Sequence, residues 1–101
     1  MNANMMKQLQ QMQSRMAKMQ GELGDLVVTG TAGGGAVTVT ADGHQKVLSV
    51  VIDVEAMEEG TEMLSDLVLA AVNQALEESR TAAASQMGQL TAGLNLPPGL
   101  L

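Results

Sequence analysis

Apolar residues recur at alternating intervals of four and three along the first quarter of the chain. Intervals of this kind predict an amphipathic helix, and here they persist over nearly three heptads. We expect a helix over residues 4–24, with Asn2 or Asn4 as its N-cap and Gly24 at its end. The apolar seam of this helix consists of Met5, Leu9, Met12, Met16, Met19 and Leu23. Because methionine fills irregular gaps, and no Cys or His lies among these residues, the seam is interpreted as a helix-packing surface rather than a metal site.

Three strand-like segments follow this helix: a β-branched run and two segments of alternating pattern. They cover residues 26–30, 36–41 and 46–53. Gly-rich residues 31–35 connect the first two segments, and the dipeptide Asp42-Gly43 predicts a tight hairpin between the last two. The pattern therefore predicts an antiparallel meander of three strands, followed by a turn or one short helical turn at residues 54–60.

A second long helix is predicted from Thr61 to about Ser85. Its polar residues form a narrow stripe, and apolar residues cover most of the remaining circumference. A helix that is apolar nearly all round is buried on more than one side. One side can cover the sheet, and the chain has little left to cover the other, so we expect a homodimer.

The end of the chain carries glycines and prolines that are expected to stop the second helix. We therefore expect one α-β-β-β-α domain over residues 1–86 and a partly flexible tail over residues 87–101. The fold class is α+β, with a long N-terminal helix, a three-stranded antiparallel β-meander and a long C-terminal helix.

The 101 residues include no Phe, Trp, Tyr or Cys. A monomer of this size without large aromatic side chains would be marginally stable, which favours self-association. The absence of Cys excludes disulfides and thiolate metal sites. No apolar run reaches the ~20 residues that span a bilayer, and Lys7 and Gln8 interrupt any signal-peptide core. We expect a soluble protein of the cytoplasm, with no membrane partner.

The charges are unevenly distributed, since the first 20 residues hold Lys7, Arg15 and Lys18 and no acid, whereas the rest holds all 11 acids. On a helix these three cations fall on the side opposite the apolar seam, with Gln11 among them. Such a face can neutralise DNA phosphates. From charge alone, a merely solvated helix face stays open as the other interpretation. If the two helices pack antiparallel, the start of the first helix and the end of the second meet at the far tip, and Lys7 and Arg80 lie toward that tip.

Signals for catalysis are poor. His44 is the only His and follows a turn, which is typical of a surface residue. Gly30 and Gly35 have the outer spacing of a phosphate-binding P-loop, but the Lys and Ser or Thr that the motif requires are missing. The acids near the predicted start of the second helix lack the alternating oxygen ligands of a Ca²⁺ loop. We expect no enzymatic activity, no cofactor, no metal and no small-molecule substrate.

Several segments resemble the YbaB/EbfC family of bacterial nucleoid-associated proteins. Each segment alone is a weak signal, but they occur in the family's order over nearly the whole chain. They are MKQLQQMQ at residues 6–13, VTG at 28–30, GGG at 33–35, VID at 51–53, EML at 62–64 and LPPG at 96–99.

The resemblance implies a tweezer-like homodimer with a β-sheet core and protruding helical arms. It also implies binding of double-stranded DNA in the nucleoid, with chromosome organisation as the role and gene regulation as a further one. The family's long helices are implicated in DNA contact, which here puts forward Lys7, Arg15, Lys18 and Arg80, with Gln11 beside them. Since the body of the chain is acidic, we expect weak, salt-sensitive and largely non-specific binding.

The alternative interpretation is a protein-interaction scaffold. In that case the Met-rich helix and the Leu-rich tail would bind another protein, and the acidic body would keep the molecule away from DNA. The scaffold hypothesis predicts that the purified protein ignores DNA at low salt.

Overall fold

A computed structural model describes residues 2–94, with side chains described through residue 89. The elements follow one another as helix, three strands, a 3-10 helix and a second helix, so the predicted α+β order is confirmed. Their bounds are α1 Ala3–Asp25, β1 Val27–Ala32, β2 Val37–Asp42, β3 Val47–Ile52, the 3-10 helix Val54–Glu59 and α2 Thr61–Leu94.

The first helix begins and ends close to the predicted residues. Its N-cap is Asn2, whose side-chain oxygen accepts a hydrogen bond from Met5 N at 2.8 Å. This bond satisfies one of the backbone N–H groups that the first turn leaves without a helical partner. The helix ends at Asp25, because Leu26 already has extended backbone angles and leads directly into β1.

The three strands form one antiparallel sheet in the order β1-β2-β3, which confirms the predicted meander. The first connection is shorter than predicted, since β1 continues to Ala32. Three consecutive glycines, Gly33, Gly34 and Gly35, turn the chain with φ angles of 65°, 69° and 99°. These left-handed angles favour glycine, because a Cβ atom is strained there. A bulge between Thr40 and Ala41 interrupts the pairing of β2 with β3.

The core is a thin layer between the middle strand and α2. It consists of five fully buried side chains, Val37, Val39, Ala41, Ala71 and Ala75. The α2 backbone comes so close to β1 that a Cβ atom at Gly30 would lie 2.3 Å from Ala75 N and 2.5 Å from Ala71 O. Small residues on both sides therefore bring the helix directly onto the sheet.

The second helix is longer than predicted. It runs for 34 residues to Leu94, so the expectation that it ends near Ser85 is wrong. Gly88 lies within the helix with open space around it, and a single glycine in a helix costs only about 1 kcal/mol relative to alanine. Residues 95–101, which are seven of the 15 residues of the predicted tail, lie outside the described residues. The boundary between residues 86 and 87 stays a prediction.

The hairpin between β2 and β3, residues 43–46, is held by hydrogen bonds from two directions. Within the hairpin, the Asp42 carboxylate accepts from Lys46 N at 3.0 Å and from His44 N at 2.8 Å. The bond from the Lys46 backbone is the main reason why the pKa of Asp42 lies below its ordinary value, outweighing the effect of burial. From α2, the fully buried Ser79 hydroxyl donates to Asp42 O at 2.6 Å and accepts from Gln45 N at 3.0 Å.

The close approach at Gly30 gives a direct test of the packing. A Gly30→Ala variant is expected to lose about 1–3 kcal/mol or more of unfolding free energy, because the new methyl group overlaps backbone atoms of α2 that cannot move independently. Urea denaturation followed by circular dichroism measures this loss. The matched control is Gly21→Ala, a helical glycine with nothing within 4 Å of the new Cβ, which is expected to gain stability. Equal stability of the two variants would contradict the packing described above.

Candidate nucleic-acid interface

The first helix is an arm that contacts α2 and β2, and its one buried side chain among the described residues lies in its last turn. Among its described residues, Leu23 alone is buried, with 6% of its surface exposed. Leu23 O accepts a hydrogen bond from Gly43 N at 2.8 Å, which joins the end of α1 to the hairpin. Most other side chains of α1 are exposed, so the greater part of the helix is available for a partner.

The second arm is the later part of α2, and it leaves the sheet at the same end as α1. Going along α2, Leu67 lies beside Gly33, Ala71 and Ala75 lie beside Gly30, and Ser79 reaches the hairpin. The helix therefore crosses the whole sheet and continues beyond the hairpin end, where α1 also projects. The molecule is accordingly long and narrow, with principal extents of 67 × 23 × 16 Å.

The predicted basic face of α1 forms one continuous surface. A shallow groove along the helix is lined by Lys7, Gln10, Gln11, Ser14 and Arg15. Lys18 follows about one turn after Arg15, and all of these side chains are exposed. The structure thus places four of the five predicted DNA-binding residues on the free arm.

Arg80 lies apart from this surface. It follows Ser79, which is bonded to the hairpin, so Arg80 lies at the base of the arms. Lys7 precedes Leu23 by about 24 Å along α1. The expectation that Arg80, like Lys7, lies toward the far tip is therefore wrong, because α2 first has to cross the sheet. Arg80 Nη2 also donates to Glu77 Oε2 at 2.6 Å, in an exposed pair that offsets its charge.

Lys46 is a cation that the sequence-based selection omitted. It lies at the end of the hairpin, it is exposed, and its backbone N–H is bonded to Asp42. Since Ser79 bonds the neighbouring Gln45, Lys46 lies at the same end of the sheet as Arg80. The sequence could have pointed to Lys46, because it follows the predicted Asp42-Gly43 turn by three residues.

The charges are separated along the length of the molecule. No Lys or Arg lies between Lys46 and Arg80 in the chain. The 3-10 helix and the start of α2 pack at the glycine-turn end, opposite the arms, where Asp53 N donates to Ala36 O at 2.8 Å. That end carries Asp53, Glu55, Glu58, Glu59, Glu62 and Asp66. The arms and the hairpin therefore hold all five cations and five of the acids, whereas the other end holds six acids and no cation. The five acids near the cations are Glu22, Asp25, Asp42, Glu77 and Glu78.

The apolar seam of α1 is largely uncovered within one copy. Met5, Leu9 and Met16 are exposed, and Met12 and Met19 are half-buried. The seam reaches the core region only at Leu23. Contacts of α1 with α2 and β2 therefore cover the seam only in part within one chain.

His44 is more than the isolated surface residue that its sequence position suggests. Its ring is exposed, but Nε2 lies 2.7 Å from Gln20 O of α1 and therefore donates a hydrogen bond to that carbonyl. In the described part of the chain, no three His, Cys, Asp or Glu side chains group in a way that could hold a metal ion. Across residues 2–94, no helix combines the length and apolarity needed to span a membrane.

Comparison with known proteins matches this chain over nearly its whole length. A protein of Pelotomaculum thermopropionicum, named nucleoid-associated protein, is 47% identical over 96 residues, covering 94% of this chain and 91% of its own. A nucleoid-associated protein of Bacillus thuringiensis is 54% identical over 98 residues, covering 96% and 90%.

The fold also occurs in a solved structure. Uncharacterized protein HP0035 from Helicobacter pylori superposes with a TM-score of 0.66 at 25% identity, covering 86% of this chain and 97% of that one. The YbaB/EbfC DNA-binding family matches residues 1–94, which is the same region that carries the sheet and both arms. The chain therefore belongs to the YbaB/EbfC DNA-binding family.

Proposed function

We propose that this protein is a nucleoid-associated protein that binds double-stranded DNA through the basic face of α1. The observation that carries the proposal is the alignment of Lys7, Gln11, Arg15 and Lys18 along the exposed side of a projecting helix. Membership of a DNA-binding family and the names of the relatives support the same role.

The arm has the dimensions and chemistry for phosphate contact. Its 23 residues span about 34 Å, close to one turn of B-form DNA. Lys and Arg neutralise phosphates, and Gln11 and Ser14 can donate further hydrogen bonds to them. Phosphate contacts position a protein without carrying sequence information, so the sequence preference is expected to be weak.

The charge separation lets an acidic protein approach a polyanion. The chain has a net charge of −6, which opposes binding at long range. Because the acids from Asp53 to Asp66 lie at the end opposite the arms, repulsion favours the orientation in which the arms meet DNA first. At moderate salt the Debye length is about 10 Å, much shorter than the 67 Å molecule, so the arms interact locally.

The active form is proposed to be a homodimer built on β3. This edge strand has an unpaired backbone edge, all six residues are exposed, and five of them are apolar. Beside it, an uncharged groove lined by Ile52, Leu64, Val68, Leu69 and Val72 lies between β3 and α2. An exposed apolar edge strand pairs readily with a second copy of itself, and such a self-complementary contact has two-fold symmetry.

Dimerisation is proposed to strengthen DNA binding by doubling the number of cations that face the DNA. Two copies present six cations on two α1 helices, in the tweezer-like arrangement that the family resemblance implies. The proposed role is chromosome organisation in the nucleoid of the cytoplasm, with gene regulation as a further consequence of DNA occupancy. This role is one of binding alone and requires no cofactor or catalytic group.

Charge reversal on the arm tests the DNA surface. We expect a Lys7→Glu, Arg15→Glu, Lys18→Glu triple variant to lose DNA binding, because it replaces phosphate attraction with repulsion on an exposed helix face. Fluorescence anisotropy with a labelled random-sequence duplex measures the loss. Sedimentation analysis is expected to show that the variant assembles as the parent protein does.

The control for this test changes charge at the other end. A Glu58→Gln, Glu59→Gln, Glu62→Gln variant is expected to bind DNA at least as well as the parent protein, since it removes repulsion without altering the arms. If the arm variant binds DNA normally, the α1 face is not the site. If the parent protein ignores DNA at low salt and captures a protein instead, the scaffold hypothesis replaces the proposal.

A substitution at one exposed apolar residue, Leu69, tests whether the dimer interface lies at β3. Leu69→Lys is expected to convert the dimer to a monomer at micromolar concentration, because it places a charge in the groove beside β3. Val27→Lys is the matched control on the opposite edge strand, since Val27 is 60% exposed and Leu69 is 61% exposed. Analytical ultracentrifugation measures both. A dimer that survives Leu69→Lys and dissociates with Val27→Lys would place the interface elsewhere.

A further inference from the structure

We propose that the hairpin of residues 43–46 is the joint that sets the angle of the α1 arm, and that His44 is the positioning residue within it. This inference rests on the proposed function, because the arm angle matters through the DNA that the arm binds. His44 itself is assigned no contact with DNA.

The joint consists of contacts at the last turn of α1. His44 Nε2 donates to Gln20 O at 2.7 Å, and Gly43 N donates to Leu23 O at 2.8 Å. Between these bonds, the Cβ position of Gly24 lies 3.6 Å from the His44 ring, at ordinary van der Waals distance. Gly43 also has no room for a side chain, since its Cβ position is 2.5 Å from Leu23 O. Two hydrogen bonds and one packed ring thus hold the end of the helix.

Beyond the joint, α1 also contacts α2, and Met12 and Met19 are half-buried, but most of its side chains are exposed, so a small rotation at the joint moves the basic face a long way. Lys7 lies about 24 Å from Leu23, and a rotation of about 10° at the joint would move it by about 4 Å. A charged hydrogen bond to a phosphate requires a separation of about 2.7–2.9 Å. If the joint were loose, the basic side chains would sample many positions, and in most of them they would lie too far from the phosphates to form hydrogen bonds.

His44 is in turn held in place by α2, because Ser79 of that helix is hydrogen-bonded to the hairpin. The backbone N–H of His44 is bonded to the Asp42 carboxylate, and Ser79 of α2 bonds both Asp42 O and Gln45 N. Gln45 has a φ of 64°, a left-handed conformation that a glutamine holds only where its surroundings require it. The connection therefore runs from Ser79 through the hairpin to the His44 ring and on to Gln20, so that one arm is oriented relative to the other.

The chemistry of the contact explains why a histidine suits this position. Gln20 O only accepts hydrogen bonds, so Nε2 must carry the proton. Gln20 O lies before the last four carbonyls of α1 and already accepts the Gly24 N–H within the helix, so the His44 ring donates a second hydrogen bond to its other lone pair. The flat ring also covers the open backbone at Gly24, which a shorter or more flexible side chain would leave exposed.

Three full-length proteins test the proposal: the parent, His44→Ala and His44→Gln. The alanine variant removes donor and ring, whereas glutamine can return an N–H donor to Gln20 O. We expect His44→Ala to weaken binding to a random-sequence duplex by about fivefold, the equivalent of one net hydrogen bond. We expect His44→Gln to bind within about twofold of the parent.

The arm angle is measured directly by electron–electron distance spectroscopy. Since the chain has no Cys, spin labels at Gln13→Cys and Thr81→Cys report only the separation of the two arms. Dilution with unlabelled protein isolates the distance within one chain. We expect a broader distance distribution in His44→Ala than in the parent, and a narrow one in His44→Gln. The slope of log K against log salt is expected to stay unchanged in both variants.

Each result decides a separate point. An unchanged distance distribution in His44→Ala would overturn the joint, whatever the affinity. A salt slope reduced by about one per lost contact would instead make His44 a direct phosphate contact. If both variants unfold, His44 serves stability alone and the proposal fails. If the parent shows no DNA binding while His44→Ala still broadens the distances, the proposed function fails and the joint stands as a structural device.

Discussion

The structure depends on how the last turn of α1 is held against the β2–β3 hairpin. Leu23 is the buried residue of that helix, and the hydrogen bonds from Gly43 and His44 act at the same turn. Because the buried attachment lies there, the other turns of α1 present a largely exposed basic face on one side and a methionine-rich seam on the other. Contact with α2 leaves the seam only partly covered in one chain, and a second copy or DNA is needed to make use of the arm.

The second organising feature is the separation of charge over a narrow, 67 Å molecule. An acidic protein that binds a polyanion must keep its acids away from the contact. Here six of the 11 acids lie beyond the glycine turn, where there is no cation, and the cations lie on the arms and the hairpin with the other five acids near the base of the arms. The sheet between them is thin, since Gly30 lets α2 pack directly onto β1 and the buried side chains are Val and Ala. A core this small is consistent with a protein whose stability is completed by assembly.

The sequence predicted local elements well, because each has a local cause. The period of the seam predicted α1, and the Val–Thr alternation with Asp42-Gly43 predicted the meander. It did not predict the length of α2, because a glycine such as Gly88 is tolerated inside a long helix. Arg80 and His44 were misjudged for another reason. Their surroundings depend on where α2 crosses the sheet and where α1 meets the hairpin, and both follow from contacts between residues distant in sequence.

The most direct test of the account is the salt dependence of DNA binding by the unmodified protein. A dimer with twice the net charge of −6 is proposed to bind DNA through at most six α1 cations. The plot of log K against log salt between about 50 and 200 mM should therefore be linear, with a slope no steeper than about −5. A clearly negative slope within that limit supports phosphate neutralisation by the arms. An absence of binding at about 50 mM salt, or an affinity that salt does not change, would contradict it.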